Sequence, residues 1–320
     1  MNVGILMDPI HTIHVRHDTS FAFLLTLQAR QHKLYYLEPT DIFLKNGEVF
    51  GFFSQIHVQD NTSHWFALSE RKTKSLNELD ILLIRKDPPF NTNYLYLTHL
   101  LELSEKDGLF VVNKPRSLRD ANEKLFTSWF PHCTPKTLVT SNRGLLIEFA
   151  HELKQIVIKP LYAMAGQSVF RLSIDDPNIP VIIEMMTTHG NRLVMAQQFI
   201  PEIKQGDKRI ILINGEPAAP YALARIPATG DFRGNLAVGA RGEGRELTDR
   251  DRWICKKVGP TLREKGLWFA GLDVIGDYLT EINVTSPTGV RELEAQFNID
   301  ISGKFIEFLE IQYSERGASR

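Results

Sequence analysis

Glu281 and Asn283 stand two apart in an apolar run, so in a β-strand both side chains leave one face while Ile282 and Val284 take the other. A carboxylate and a carboxamide so placed offer hard oxygen donors. Asp273, on the apolar run before the Gly276-Asp277 pair, offers a third. Register decides whether it joins them. A two-residue loop at Gly276-Asp277 opposes residue 273 to 280 and turns the acid away, whereas a three-residue loop, Gly276 to Tyr278, opposes 273 to 281. The longer loop is the expectation, and convergence requires either an odd number of loop residues or a bulge. Converged oxygens of this kind suit Mg2+, with Mn2+ as the alternative ion, because such a cation keeps waters and completes its shell with substrate phosphates. The same alternation also describes the solvated face of an ordinary hairpin, so a metal reading needs phosphate-binding partners elsewhere in the chain.

Two stretches offer them. Lys159 closes the apolar run Ile156-Val157-Ile158 and precedes the small-residue loop Leu161-Tyr162-Ala163-Met164-Ala165-Gly166-Gln167-Ser168. A point charge beside backbone N–H groups that fold over phosphate oxygens fits a nucleotide triphosphate, although a plain turn has the same composition. Between 227 and 244, Gly230, Gly234, Gly239, Gly242 and Gly244 are interleaved with Arg233 and Arg241. So long a loop in a compact domain is either a lid or disordered, and arginines among glycines suit a lid over an anionic substrate.

The chain of 320 residues can bury a sizeable core and divides into two or three domains. Lysine plus arginine number 37 against 38 acids, a net charge of −1, which argues against a general binder of nucleic acid or anionic membrane. Cys133 and Cys255 are far apart and lack metal-type spacing, which fits a reduced cytoplasm and small buried hydrophobes. No signal peptide or membrane span is visible. His11, His14 and His17 lack acids in metal-like order and read as surface histidines. Phe50, Phe52 and Phe53 read as packing or a subunit contact.

The elements that carry these groups change character along the chain. Strands over 3–7, 33–37, 81–84 and 109–112, with helices over 21–30 (capped by Asp18 or Ser20) and 94–106, predict a parallel αβ layer over 1–121. Asn46-Gly47 marks a hairpin inserted in it. A helix opening at Asn122, strand 137–140, a helix capped by Ser141 or Asn142, strands 156–160 and 169–172, helix 181–188 and strand 193–200 make a second unit, 122–200. From 201 to 320 antiparallel strands dominate, with a turn at Asn214-Gly215. A helix from Thr248 to Lys265 leads into the opening hairpin, and helices near 290–297 and 304–314 end the chain.

Ten blocks in order carry a resemblance: Asp8-Pro9-Ile10; Asp18-Thr19-Ser20-Phe21-Ala22; Arg85-Lys86-Asp87-Pro88-Pro89-Phe90; Val112-Asn113-Lys114-Pro115; Asn122-Glu123-Lys124-Leu125-Phe126; Ile158-Lys159-Pro160-Leu161; Gly206-Asp207-Lys208-Arg209; Leu223-Ala224-Arg225-Ile226-Pro227; Arg233-Gly234-Asn235-Leu236-Ala237; and 271–287. Together they resemble the bacterial glutathione synthetase family of the ATP-grasp superfamily over nearly the whole chain. The resemblance implies a mixed α/β and α+β fold: a small parallel αβ N-terminal domain, then an ATP-grasp fold of two α+β subdomains with a mobile lid over 227–244. It implies an enzyme joining γ-glutamylcysteine to glycine, with ATP cleaved to ADP and phosphate through an acyl phosphate. It also implies a cytoplasmic homotetramer whose partners are these small molecules, not nucleic acid or membrane.

Carried onto this sequence, Lys124, Lys159 and Gly166 would hold nucleotide phosphates. Gln198, Phe199 and Ile200 would lie along the adenine, and Asp207 would approach the ribose. Asp273, Glu281 and Asn283 would bind magnesium. Arg209, Arg225 and Gly239 would serve catalysis, and Ser20, Arg85, Arg233, Arg241 and Ser286 would contact peptide and glycine. Charge concentrates in both chemical steps, so positioning and electrostatics would do the catalysis without a protein nucleophile. The sequence departs from the family pattern in two places. Tyr162-Ala163-Met164-Ala165-Gly166 stands where relatives carry Asp-Gly-Met-Gly-Gly, and Gly239-Ala240 replaces a Gly-Gly pair; added methyl groups restrict positive φ. Two other readings stay open: a related ATP-grasp ligase with another peptide or amine, and a nucleotide-binding protein that has lost catalysis.

Overall fold

The computed structural model describes every residue except Ala165, Ala237, Val238, Ser319 and Arg320. The first sheet holds β1 (Asn2–Met7), β2 (Lys33–Leu37), β3 (Ile42–Lys45), β4 (Glu48–Val58), β5 (Phe66–Leu68), β6 (Lys72–Ser75), β7 (Ile81–Arg85) and β8 (Phe110–Val112). Its order is β3-β4-β2-β1-β7-β8, with β5 and β6 also on β4. The short apolar runs β1, β2, β7 and β8 pair in parallel, as strands covered on both faces do. The inserted hairpin is antiparallel. Helix α1 (Thr19–Ala29) is capped by Asp18, which accepts from the Phe21 amide, and Ser20 lies inside the helix. Helix α2 (Thr92–Lys106) starts two residues before the expected 94 because Asn91 caps it, and the short α3 (Pro115–Asp120) follows β8.

The helix expected from Asn122 is a 3-10 turn over Leu125–Trp129. Beyond it, β9 (Thr137–Thr140), β10 (Gln155–Pro160), β11 (Phe170–Ser173) and β12 (Val194–Gln198) form an antiparallel sheet in the order β11-β10-β12-β9. Helices α4 (Arg143–Leu153), capped by Asn142, and α5 (Ile179–Met186) cover it. The third sheet runs β16-β15-β13-β17-β18, built from β13 (Asp207–Ile213), β15 (Tyr221–Ile226), β16 (Arg241–Glu246), β17 (Phe269–Ile275) and β18 (Tyr278–Asn283), with β14 (Glu216–Pro217) on β13. Helix α6 (Asp249–Glu264) begins at a Thr248–Asp251 capping box. Helices α7 (Val290–Phe297) and α8 (Ile301–Ala318) close the chain.

Two expectations change here. The loop over 227–244 is shorter than its composition predicts, because Gly242 and Gly244 lie in β16, paired with Arg225 and Leu223. Glycine serves packing at Gly244, where a Cβ would run into the Phe297 ring. The β17–β18 loop has two residues, Gly276-Asp277, and not three: Ile275 opposes Tyr278 and Val274 opposes Leu279. A bulge at Thr280 then shifts the register, so Asp273 opposes Glu281 after all and Gly271 opposes Asn283. The Thr280 hydroxyl donates to the Asp273 carbonyl at 3.1 Å and fixes the bulge.

The first and third sheets share cores. One cluster joins Leu6, Leu37 and Leu82 to Ile210, Leu272 and Ile282, and another joins Val3, Phe23 and Phe110 to Ile211, Phe269 and Phe305. Asn113 pins the two sheets: its carboxamide accepts from the Phe269 amide at 2.9 Å and donates to the Phe269 and Val284 carbonyls, each at 2.7 Å. The second sheet keeps a separate core of Leu146, Ile156, Ile158, Leu172, Ile183 and Val194.

Candidate active site

The bulged hairpin sets the floor of a cleft between the second and third sheets. Lys159, at the end of β10, donates to the Thr280 carbonyl at 3.1 Å and stands 3.8 Å from Glu281 Oε1. Lys124 reaches the same Oε1 at 3.5 Å and donates to the Ala163 carbonyl at 2.6 Å. Burial alone would raise the Glu281 carboxyl, but the two ammonium groups hold it below its ordinary range. Burial in turn lowers Lys159, with Glu281 opposing.

Beside it lies a buried network of two acids and two guanidiniums. Asp273 takes Arg209 in a fork, Nε at 2.5 Å and Nη2 at 3.1 Å, and Arg225 Nη2 at 2.9 Å. The same Arg225 nitrogen donates to Asp207 Oδ2 at 2.5 Å. Burial pushes both carboxyls up, but Asp273, with both arginines on it, ends far below the ordinary carboxylate range. Asp207 has only Arg225, and its pKa rises to about 6. Its Oδ1 is buried without a partner, an acceptor available to a ligand hydroxyl.

Two cavities meet over these groups. The first, about 820 Å³ including its mouth, is lined by Lys124, Lys159 and Glu281 together, by Gly166, Asp207 and Asp273, and by Gln198, Phe199 and Ile200. The lining combines two buried lysines and three acids with the apolar Val157, Val169, Phe199, Ile200 and Ile275, a mixture that suits a nucleotide. The second, about 940 Å³, is lined by Arg209, Arg225, Asn283, Ser286, Asp87 and Glu123, among others. Lys124, Asn235 and Glu281 line both and so form the partition.

Most of the expected site residues therefore converge, and some do not. Ser20 and Arg85 are buried behind the second cavity and do not line it. Arg85 donates from Nε to Ser20 Oγ at 3.0 Å and from Nη2 to the Pro287 carbonyl at 2.9 Å, between the Phe23 and Phe269 rings, and burial lowers its pKa to about 10. Their work is to support the segment that carries Ser286. Arg241 points to solvent and pairs with Glu243, because its strand is the sheet edge. Gly239, at φ +94°, lies outside both cavities. Arg233 lines the nucleotide-shaped cavity, held by Asp231 at 2.7 Å and reaching the Gly166 carbonyl at 3.4 Å. Ala165 and Ala237 lie outside the described residues, while Ala163 is not among the residues at positive φ and does not require glycine.

The donor set fits a hard cation in part. Asn283 Nδ2 donates to the Gly271 carbonyl at 3.3 Å, which leaves its Oδ1 for a ligand beside Glu281. Asp273 already carries three guanidinium contacts, so a cation on its remaining lone pair would sit close to Arg209 and Arg225. The sequence reading missed Glu123, whose Oε1 accepts from the Val284 and Thr285 amides and the Thr285 hydroxyl at 2.9, 3.1 and 2.8 Å. It also missed Asp87, which is hydrogen-bonded to Ser286. Their only trace was membership of the blocks Asn122–Phe126 and Arg85–Phe90, where each sits beside a basic residue.

Comparison with known proteins agrees with this architecture. The model of the prokaryotic glutathione synthetase N-terminal domain matches residues 1–119, and that of the prokaryotic glutathione synthetase ATP-grasp domain matches 123–298. The chain is 70% identical to a glutathione synthetase of Coxiella burnetii, covering 98% of both chains. It is 49% identical to that of Escherichia coli K12, covering 99% of this chain and 100% of the relative. A crystal structure of D-cycloserine synthetase superposes with a TM-score of 0.69 at 11% identity, covering 97% and 99% of the two chains, a likeness of fold alone. With the cleft, both domain models and full-length relatives in agreement, the chain belongs to the prokaryotic glutathione synthetase family.

Proposed function

We infer that the protein is an ATP-dependent ligase that joins γ-glutamylcysteine to glycine, releasing ADP and phosphate. The observation that carries this reading is the partition: Lys124, Asn235 and Glu281 line both cavities, so a phosphate end in one meets a carboxylate in the other. Lys124, Lys159 and the Gly166 loop would hold the phosphates, Gln198, Phe199 and Ile200 the base, and Asp207 Oδ1 a ribose hydroxyl. Glu281 and Asn283, with Asp273 as a shared third donor, would hold Mg2+ or Mn2+, which when bound supplies charge neutralisation on the phosphate oxygens.

The peptide carboxylate attacks the γ-phosphorus to form an acyl phosphate, and the glycine amine then displaces phosphate through a tetrahedral intermediate. Arg209 and Arg225 favour both steps, since each gathers negative charge beside buried, pre-oriented guanidiniums. Closure of the loop from 227 to 240, with Arg233 and Gly239 on it, would exclude water from the acyl phosphate. Arg241 and Ser286 remain candidates for peptide or glycine contact, Ser286 with the better placement. Small-molecule partners, a cytoplasmic setting and a homotetramer complete the reading. Two buried, unpaired cysteines support the compartment, and no helix among the described residues is long and apolar enough to cross a membrane.

The test is phosphate release and glutathione formation with ATP, Mg2+, γ-glutamylcysteine and glycine. Glycine-dependent release is the expected result. Tight ATP binding without it would favour a nucleotide-binding protein, and release with another amine but not glycine would favour a related ligase.

A further inference from the structure

An amine acceptor arrives as an ammonium ion, which has no lone pair to attack an acyl phosphate. Some group in the second cavity has to receive a proton from it. Five carboxylates surround the reacting space, and four are committed. Asp273 is forked by Arg209 and held by Arg225, Asp207 pairs with Arg225 through Oδ2 while its Oδ1 is buried and the residue lines only the first cavity, Glu281 lies between Lys124 and Lys159, and Asp87 is hydrogen-bonded to Ser286.

Glu123 differs from them. Its Oε1 is fixed by the Val284 amide, the Thr285 amide and the Thr285 hydroxyl, all on the segment leaving the hairpin. Its backbone carbonyl accepts from the Ile282 amide at 2.9 Å, so the residue is held from both ends. The second oxygen, Oε2, has no partner among the described residues and is not among the sealed atoms, and Glu123 lines both the cavity of Arg209, Arg225 and Ser286 and a neighbouring one beside Phe90 and Tyr162. A carboxylate with one oxygen immobilised and the other open is preorganised to take a proton at a defined point.

We propose that Glu123 Oε2 binds the ammonium group of the amine substrate and takes its proton, which makes Glu123 a catalytic residue for the second half-reaction. This rests on the ligase reading above. The proton passes from the ammonium nitrogen to Oε2 and on to solvent. The freed lone pair forms the N–C bond to the acyl carbon, and the C–O bond to phosphate breaks with its electron pair on the phosphate oxygen. The second nitrogen proton goes to the departing phosphate, so one amide and one monohydrogen phosphate result. The charge of Glu281 acts on Glu123 through space, the neutral Tyr94 phenol lies near it, and Lys124 and Asp87 share the same cavity wall. Burial raises its carboxyl, the three hydrogen bonds restrain the rise and Glu281 adds to it, which moves the group toward the useful side for a base near neutral pH.

Glu123→Gln separates base from anchor, since a carboxamide oxygen still accepts all three hydrogen bonds while the open position loses its charge and basicity. The assay compares glycine with hydroxylamine, an acceptor already neutral at about pH 7.5, and follows positional isotope exchange in ATP for the first half-reaction. E123Q should lose glycine-dependent turnover on the order of 100-fold, within the range for a lost general base, while hydroxamate formation and isotope exchange stay within about 3-fold. Glu123→Asp, which keeps a carboxylate, should recover part of the glycine rate. Unchanged glycine turnover in E123Q, an equal fall with both acceptors, or the acceptor-selective loss appearing in Asp87→Asn instead would each overturn the assignment. Absence of any acceptor-dependent phosphate release in the unsubstituted protein would instead remove the ligase reading itself.

Discussion

Replacing Asp207 by asparagine should stabilise the ligand-free protein while weakening its hold on ATP. The carboxyl rises from 3.8 to about 6 because it is buried with only Arg225 to offset the loss of water. A carboxyl raised on folding contributes stability only while protonated. Between pH 3.8 and 6 the folded chain keeps a proton that the unfolded chain has released, so stability falls as pH rises through that window and the deficit is complete above it. A rise of about 2 units at about 1.36 kcal/mol each corresponds to a deficit of roughly 3 kcal/mol. Asparagine keeps an oxygen for Arg225 and carries no charge, and Arg225 retains Asp273 at 2.9 Å, so no buried cation is orphaned. D207N should therefore gain on the order of 1–3 kcal/mol near pH 8 and almost nothing near pH 4. Urea unfolding followed by tryptophan fluorescence at both pH values measures it. ATP affinity should fall by roughly 10- to 100-fold, the worth of a hydrogen bond to a charged acceptor. A gain of equal size at both pH values, or destabilisation near pH 8, would refute the reasoning.

Three further outcomes follow from the geometry. Gly166→Ala places a methyl group at φ +74° and 2.6 Å from Asn235 Oδ1, so it should part the two loops, weaken ATP binding by roughly 10-fold or more and speed proteolysis within 227–240; unchanged calorimetric affinity would count against this. Glu281→Ala together with Asn283→Ala removes two of the three proposed oxygen donors; Mn2+ binding read by paramagnetic resonance should be lost together with turnover, and retained binding would contradict the metal assignment. Asn113→Ala removes three buried hydrogen bonds and leaves two carbonyls and an amide unpaired, so thermal denaturation should report a loss of about 3 kcal/mol or more; a shift worth under about 1 kcal/mol would show that water replaces the carboxamide.

Strand positions, caps and the lysine positions were legible in the sequence because each follows from a local rule. Apolar runs of five become buried parallel strands, Asn142 and Thr248 cap their helices, and Lys159 ends a buried strand. The hairpin shows the boundary of such reading. Convergence of Asp273 with Glu281 was expected first from a long loop and otherwise from a bulge, and it comes by the second route, a short loop plus a bulge at Thr280. A sequence constrains the parity of the register more firmly than the device that sets it. Other misses depended on distant partners. Gly242 reads as lid until Arg225 is seen opposite it, and Arg85 reads as a substrate ligand until the Phe23 and Phe269 rings enclose it. Glu123 drew no notice because its role is created by amides far along the chain.

The shared cores divide the molecule mechanically in a way that its linear order does not. Residues 1–121 and the third sheet interdigitate through two hydrophobic clusters and the Asn113 staple, so they behave as one anvil. The four-stranded second sheet has its own core and meets that anvil through polar reach, as in Lys159 to the Thr280 carbonyl. On the proposed reading, admission of ATP and escape of ADP would come by a swing of this one jaw, which carries Met164 of the second cavity with it. The phosphates that Lys159 would hold on that reading stand at the point where jaw and anvil meet, so a filled nucleotide site would also be the fastener that holds the molecule shut.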